Sequence, residues 1–440
     1  MFKGGVKIDS FKELSKEEQI EVFPYPHKVV ISLSQHTGLP AKPLVQKGDV
    51  VKEGQVIGEP AGFISSYVHA SIAGKVVALE NRNLPTGRSS LSVIIEKENE
   101  APETSYEGIV RNWQEINPRE IIEMVKQAGI VGMGGAAFPT FVKLMVPEGK
   151  KVECVLLNGC ECEPFLTADY RVLKENAQEV IEGLQIICKA LSVEKAYIGI
   201  ESNKRDLVKV LNTCLQTLKI PLDVRLKVLP ERYPQGSEKH LIKSIIGKEV
   251  PSLGLPVDIG CVVFNIQTAL SIKKAVCENI PSIERVLTVT GVVDRPKNLK
   301  VRIGTSISDI LNYCGGTLTE SKRLIIGGPM MGIHIPSSDV PVVKSTTGII
   351  LLPAEKTTRQ EIKPCIRCGK CINACPMNLV PAEIGRQAEN KNWDVCKTLG
   401  VVDCIECGCC SYVCPAKRPM VALFKWAKAE SRKINKCSVT

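Results

Sequence analysis

Residues 365–376 read CIRCGKCINACP, and residues 404–415 read CIECGCCSYVCP. Each stretch spaces its cysteines C-x2-C-x2-C-x3-C and closes on a proline. Three cysteines two residues apart can wrap one face of an iron–sulfur cubane, and in this repeat the fourth serves the other cluster. The spacing therefore assigns Cys365, Cys368, Cys371 and Cys414 to one [4Fe-4S] cluster, and Cys404, Cys407, Cys410 and Cys375 to a second. Crossed ligation ties the two repeats together, so this region is expected to need its metal to fold. The alternative is a pair of structural zinc sites. Zinc is usually held by two Cys-x2-4-Cys pairs, a pattern that this spacing does not follow. Cys396, Cys409 and Cys437 fall outside the repeat and read as spectators.

The rest of the composition agrees. The chain has 19 cysteines in 440 residues, and ten of them lie between Cys365 and Cys414. Local crowding of this kind indicates metal, not a disulfide framework, in a chain expected to stay in the cytoplasm. No apolar run has the length of a membrane span, and the opening MFKGGVKIDSFKELSKEEQ has no signal-peptide core. The net charge of +10 is spread along the chain, which argues against nucleic acid. Residues 363–440 hold 13 Lys and Arg against 6 Asp and Glu, an excess that offsets the negative charge of thiolate-ligated clusters. A solvated basic tail accounts for the final residues equally well.

At this length several domains are required. Residues 1–115 carry short strand-like runs punctuated by glycine, as in a small barrel or sandwich. His69 lies between two such runs and reads as structural. From Asn117 the period becomes helical, with Pro118 at the first turn and an end near Gly129. Next comes Gly132-Met133-Gly134-Gly135-Ala136-Ala137-Phe138-Pro139-Thr140, with Lys143 beyond it. Such a run brings backbone amides close to a phosphate, and the following segment can present a helix N-terminus to it. A plain flexible loop is the competing reading. The run follows a helix, not a strand, which sets it apart from the ordinary dinucleotide fingerprint.

A buried strand over residues 152–157 then leads into Asn158-Gly159-Cys160-Glu161-Cys162-Glu163-Pro164, placing polar groups at a strand's carboxyl end, where α/β sheets bind ligands. Helices and strands alternate to about residue 284, with a polar loop at Asn265–Thr268. Residues 285–357 read as a second small β-rich unit. Gly327, Gly328 and Gly332 there mark a tight turn that shapes a domain contact. Residues 358–440 form the cluster region, with a helix and loop over Pro381–Leu399 and a covering helix after Pro419.

These motifs resemble the C subunits of Rnf complexes, membrane-bound ferredoxin:NAD oxidoreductases, over almost the whole chain. The resemblance implies a multidomain α/β and β architecture. It comprises an N-terminal barrel-sandwich domain of biotinyl or lipoyl type (1–115), a central α/β FMN- and NAD(H)-binding domain (116–284), a soluble-ligand-binding β-grasp domain (285–357) and a C-terminal helical, ferredoxin-like two-cluster domain (358–440). No MKM or DKA tripeptide stands at the N-terminal hairpin, so covalent biotin or lipoate is not implied. The glycine run is similar to the flavin loop of the NADH-oxidising subunit of respiratory complex I.

That similarity implies non-covalent FMN, with Gly132, Gly134, Gly135, Phe138 and Lys143 along its phosphate side. It further implies Asn158, Glu161, Glu163, Asn265 and Thr268 around the flavin, and Tyr233, Gly236, Glu238 and Lys239 beside the dinucleotide. Glu163 and Lys143 become the catalytic candidates. One departure is Gly4-Gly5-Val6-Lys7-Ile8-Asp9, where family members usually carry His-Pro-Pro. The implied partners are a ferredoxin-like iron–sulfur subunit and integral membrane subunits, with this chain peripheral on the cytoplasmic face. The implied activity is hydride exchange between NAD(H) and FMN, then single-electron steps. A non-enzymatic electron-transfer adaptor, or a quinone-linked or formate-linked flavoprotein subunit, would share much of this sequence pattern.

Overall fold

A computed structural model describes residues 2–98, 104–106, 109–218, 222–320, 322–357 and 361–437. The N-terminal region forms two small antiparallel sheets. One orders Lys28–Ser32, Ser89–Glu96, Gly74–Asn83 and Val50–Val51; the other orders Lys42–Pro43, Val56–Glu59 and Val68–His69. Val29, Ile31, Ile57, Val68 and Val93 fill the space between them, as expected of a barrel-sandwich. His69 is buried there, and burial pushes its imidazole down to about 3, which keeps it neutral.

The central sheet is parallel throughout, in the order Asp223–Leu229, Lys195–Glu201, Cys154–Gly159, Cys261–Asn265. Its inner strands are near-continuous apolar runs because helices cover both faces. Ala177–Leu191 packs with Ile266–Glu278, while Leu241 and Ile242 of Glu238–Ile246 close the other side on Leu156 and Val263. The helix Pro118–Gln127 begins as its sequence predicts, with the Asn117 side chain accepting from Glu120 N, and it stops before Gly129, where φ is +62°. The strand expected over 152–157 instead runs Cys154–Gly159. Asn158 remains in the ladder because strands on both sides reach it, and Gly159 because Ile200 pairs with it on one side. The polar loop expected at Asn265–Thr268 is a helix start: Asn265 caps Ile266–Glu278 through its side-chain oxygen.

The third sheet has six strands, in the order Ile20–Val22, Lys297–Arg302, Glu284–Gly291, Gly348–Pro353, Lys322–Ile326, Ile333–Ile335. The helix Ile307–Tyr313 buries Ile307, Ile310 and Leu311 against Leu287, Leu324 and Ile349. The first strand of this sheet comes from the chain's N-terminus, where the sequence pattern predicts part of the N-terminal β unit. Ile20–Val22 pairs in parallel with Asn298–Lys300. Upstream, Lys12 Nζ donates to Glu163 O at 3.0 Å and also to Leu166 O, and Val6 pairs with Tyr233. Gly5 N donates to Ala374 O. Residues 4–22 thus form a strap from the cysteine-rich region to the six-stranded sheet.

The C-terminal region is helical. The expected helix over Pro381–Leu399 divides into Pro381–Glu389 and Trp393–Thr398, and Met420–Cys437 covers both. Phe424, 1% exposed, joins Met420 and Ala427 against Ile384 and Ala388. Burial of the Phe424 ring alone contributes roughly 2–3 kcal/mol. Among the described residues no helix is long and apolar enough to cross a membrane.

Candidate flavin and cluster sites

Two neighbouring central strands diverge in their connections: from Cys154–Gly159 the chain winds one way to Lys195–Glu201, while Cys261–Asn265 lies on the other side. This is a topological switch point, the place where open α/β sheets leave a crevice at the strands' carboxyl ends. Asn158 and Asn265 are register partners there.

The glycine run lies over Asn265. A Cβ on Gly134 would meet the Asn265 side chain at 3.5 Å. The loop is closed by Gly132 N donating to Phe138 O (2.8 Å) and Ala137 N to Gly132 O (3.1 Å), leaving Gly134–Ala136 as an exposed crest. Gly135 has φ +109°, a conformation that disfavours side chains, with open space around it. Met133 N donates to Thr268 Oγ1 at 3.0 Å, so Thr268 holds the loop from below. Thr37, from the N-terminal unit, holds it from outside through Ala136 O and Ala137 O.

The helix after the loop, Thr140–Leu144, has only five residues. Its dipole is small, so an anion at the loop must rely mainly on crest amides and side-chain cations. Lys143 on this helix pairs with Glu238 at 2.9 Å and donates to Val263 O at 3.1 Å. It therefore joins the loop segment to the helix Glu238–Ile246 and to a central strand. Lys239 is half-buried next to His240, whose ring nitrogen bonds Pro376 O at 3.0 Å.

The polar residues after the first central strand are largely used inside the protein. Asn158 Nδ2 donates to Gly236 O (2.8 Å) and its Oδ1 accepts from Cys160 N. Gly236 has to be glycine, since a Cβ would lie 2.1 Å from Cys160 O. Glu161 accepts from Asp169 N and Tyr170 N at the start of the helix Ala168–Glu175. Burial pushes its carboxyl up, and Lys12 and Lys204 oppose that shift. Glu163 accepts from Met330 N (3.0 Å), Met331 N (2.9 Å) and the Tyr233 hydroxyl (3.3 Å). The turn marked by Gly327, Gly328 and Gly332 therefore makes the expected domain contact, with Glu163 as its anchor.

Sequence reasoning passed over three residues at the crevice. Asp169 accepts from Asn265 Nδ2 (2.6 Å) and Gln267 Nε2 (2.9 Å), fixing the orientation of the Asn265 amide. Arg285 is near enough to Asp169 to feel its charge and reaches Met133 O. Asp169 had a faint signal, an acidic residue in a first helical turn. Gln267 lay inside the polar stretch Asn265–Thr268 without being singled out, and Arg285 had no signal, because it stands at the start of a strand that reads as ordinary apolar sequence.

The cysteine sets differ in how they are gathered. Cys375, Cys404, Cys407 and Cys410, the second predicted set, line one small cavity together with Pro376, Ile405 and Phe424. Four cysteines around one largely apolar cavity, with Glu406 on its wall paired to Lys428, are the donor set an iron–sulfur cubane needs. In the first set Cys371 and Cys414 are buried while Cys365 and Cys368 are exposed. Among the described residues no three such side chains are drawn together tightly enough to hold a metal ion outright. Cys409 is buried next to Cys407, and Cys396 sits in the helical core, donating to Ile384 O.

Comparison with known proteins follows these lines. Residues 1–100 match the family model of the RnfC barrel sandwich hybrid domain, 125–274 that of the Nuo51 FMN-binding domain, and 286–334 the SLBB domain. The fold resembles solved structures of an NAD+-reducing [NiFe]-hydrogenase. In the air-oxidized state the TM-score is 0.50 at 19% identity, covering 64% of this chain and 53% of that one. In the H2-reduced state it is 0.52 at 16%, covering 73% and 61%. The chain thus spans little more than half the length of those solved chains. Parallel sheet, glycine loop and SLBB unit together define an FMN-binding module of the complex I kind.

Two relatives match end to end. The C subunit of the proton-translocating ferredoxin:NAD(+) oxidoreductase complex of Clostridium ljungdahlii is 44% identical over 98% of this chain and 94% of its own. The Na(+)-translocating counterpart of Acetobacterium woodii is 43% identical over 98% and 96%. The C subunit of an ion-translocating oxidoreductase complex from Rhodobacter capsulatus is 40% identical over 97% and 82%. The chain belongs to this RnfC family.

Proposed function

We propose that the chain is the NAD(H)-linked flavin and iron–sulfur subunit of an ion-translocating ferredoxin:NAD oxidoreductase. In this reading it exchanges a hydride with NAD(H) and relays single electrons to or from partner subunits. The observation that carries the proposal is the joining of the two sites: Tyr233, from the central unit, donates its hydroxyl proton to Cys407 O at 2.9 Å, on the wall of the four-cysteine cavity. An electron relay requires that closeness, whereas an adaptor with its nicotinamide site elsewhere does not. FMN supplies the chemistry that links a two-electron hydride to the one-electron capacity of each cluster.

The residues divide the work. The exposed crest residues Gly134 and Gly135 would offer their amides to the FMN phosphate, and Lys143 supplies a cation on the following helix. Asn158 and Asn265 set the floor of the crevice, and Thr268 fixes the loop above it. Glu163 and Tyr233 border the side where the nicotinamide would enter, with Gly236, Glu238 and Lys239 flanking the dinucleotide. Cys365, Cys368, Cys371 and Cys414 would hold one [4Fe-4S] cluster, and Cys404, Cys407, Cys410 and Cys375 the other. The domain limits 1–115, 116–284, 285–357 and 358–440 remain our working division, with the strap of residues 4–22 crossing them.

Ion movement belongs to membrane partners, and this chain would sit peripherally on the cytoplasmic face. The two end-to-end relatives are named for different ions, so the family does not fix which ion is moved. In the direction implied by the family, electrons come from reduced ferredoxin and leave as NADH.

The test is anaerobic titration of the reconstituted chain with NADH, following flavin and iron–sulfur absorbance together with iron and FMN assays. About one FMN and eight irons per chain, with flavin bleaching, are expected. Eight irons without flavin or an NADH response would reduce the chain to an electron-transfer adaptor.

A further inference from the structure

Arg285 opens the third unit, yet its guanidinium points back into the central crevice. It is 2% exposed. Nη2 donates to Met133 O at 3.4 Å, Nη1 to Lys344 O at 2.5 Å and Nε to Val286 O at 3.3 Å. Buried Asp169, the residue that orients the Asn265 amide, acts on it electrostatically and opposes part of the desolvation that lowers the guanidinium's pKa. The next residue joins the same network, since Val286 N donates to Gln267 Oε1 at 3.0 Å.

Met133 immediately precedes Gly134 and Gly135. Its N–H is held by Thr268 and its carbonyl by Arg285, so one residue's backbone is fixed from two domains. A second buried basic side chain of the third unit repeats the contact four residues upstream, where Lys344 Nζ donates to Gly129 O at 2.6 Å. A glycine-rich loop has much conformational freedom to lose when it closes on a ligand, and fixing it beforehand improves affinity by removing that loss. Burying a guanidinium is unfavourable unless its hydrogen bonds and charge are matched, and here one of its three accepting carbonyls, Met133 O, belongs to the glycine loop.

We propose that Arg285 is a positioning residue for the flavin loop, so that the six-stranded unit sets how tightly FMN is held. This inference rests on the flavin reading above. It gives the third unit a binding role in addition to a scaffolding one.

The experiment is FMN titration of the full-length, flavin-depleted chain by fluorescence quenching, with dissociation followed by stopped flow. Arg285→Gln should raise the Kd about tenfold or more, chiefly through faster release. Arg285→Lys, which keeps the cation, should recover part of the loss. Leu311→Ala, in the apolar core of the same unit, should lower the melting temperature and leave the Kd unchanged.

A Kd for Arg285→Gln within twofold of the unmutated chain would overturn the proposal, as would equal weakening by Leu311→Ala. If Arg285→Gln does not fold, Arg285→Lys is judged by the same criterion, since lysine keeps the buried charge but cannot hold Met133 O and Lys344 O together. Absence of FMN binding by the unmutated chain would remove the flavin reading and this proposal together; binding that survives Arg285→Gln would remove only the proposal.

Discussion

The hydroxyl of Tyr233 lies 2.9 Å from the carbonyl oxygen of Cys407 and 3.3 Å from a carboxylate oxygen of Glu163, tying the central unit to the cysteine-rich region at one side chain. Burial and the neighbouring carboxylate and thiols push its phenol up, which favours the protonated hydroxyl that donates. Tyr233→Phe removes that donor and leaves a buried carbonyl without its partner. We expect a loss of stability of about 1–2 kcal/mol and a measurable change in the reduction potential of the cluster nearest Cys407. Thermal melts and potentiometric EPR read the two effects. An unchanged potential would mean that the tyrosine fastens the units without tuning the cluster.

Cysteine replacement separates ligands from spectators. Cys407→Ser should lower iron from about eight to about four per chain and leave FMN content intact, because the cavity loses one of its four sulfurs. Cys409→Ala, one residue from Cys410, should keep all the iron. Loss of iron in Cys409→Ala would show that the ligand assignment is wrong at this repeat.

Much of this arrangement is legible in the sequence alone. The cysteine repeat is a local code, and its spacing by itself separates Cys407 from Cys409. Pro118 with Asn117, and the apolar run ending in Asn158, are likewise local signals that place a helix start and a crevice. The strap is not legible. Ile20–Val22 carries the pattern of any short strand, and nothing local says that it pairs with Asn298–Lys300, far along the chain. Arg285 and Asp169 escape notice for the same reason, since a buried charge is recognised only through a partner distant in sequence. Glu163 is legible as a site residue, but its clasp by Met330 N and Met331 N depends on how two units dock.

Two glycines should respond in opposite ways. A Cβ on Gly328 would lie 2.1 Å from Glu163 Oε2, and that carboxylate is tethered by two amides and cannot easily yield. Gly328→Ala should therefore destabilise the chain by roughly 2–4 kcal/mol. Gly135→Ala meets no neighbour, and its strain at φ +109° amounts to about 1–2 kcal/mol. At the loop crest it should nonetheless weaken FMN binding more than Gly328→Ala does. Denaturant midpoints and FMN titrations of the two variants give the comparison, and the same rank order in both assays would contradict it.

Lys344 supplies a pH dependence with a definite sign. Its amine is buried where three units meet, donating to Tyr67 O at 3.1 Å and Gly129 O at 2.6 Å, and desolvation lowers its pKa to about 7. His36 and His69 lie close by and are themselves held neutral, so no carboxylate there restores the charge. Two carbonyl acceptors suit a neutral amine, which still has two N–H groups to give. The folded state therefore releases this proton near pH 7, whereas the unfolded chain keeps it to about 10.5. Between those values the unfolded state binds more protons, so stability rises with pH, by at most about 1.4 kcal/mol per pH unit from this group. Below pH 7 the contribution is flat, because both states are protonated. Lys344→Met removes the term along with the two hydrogen bonds. Denaturant unfolding of both proteins from pH 6 to pH 9 should show the unmutated chain gaining on the variant only above pH 7. Parallel curves across that range would mean that the lysine stays charged in the folded protein.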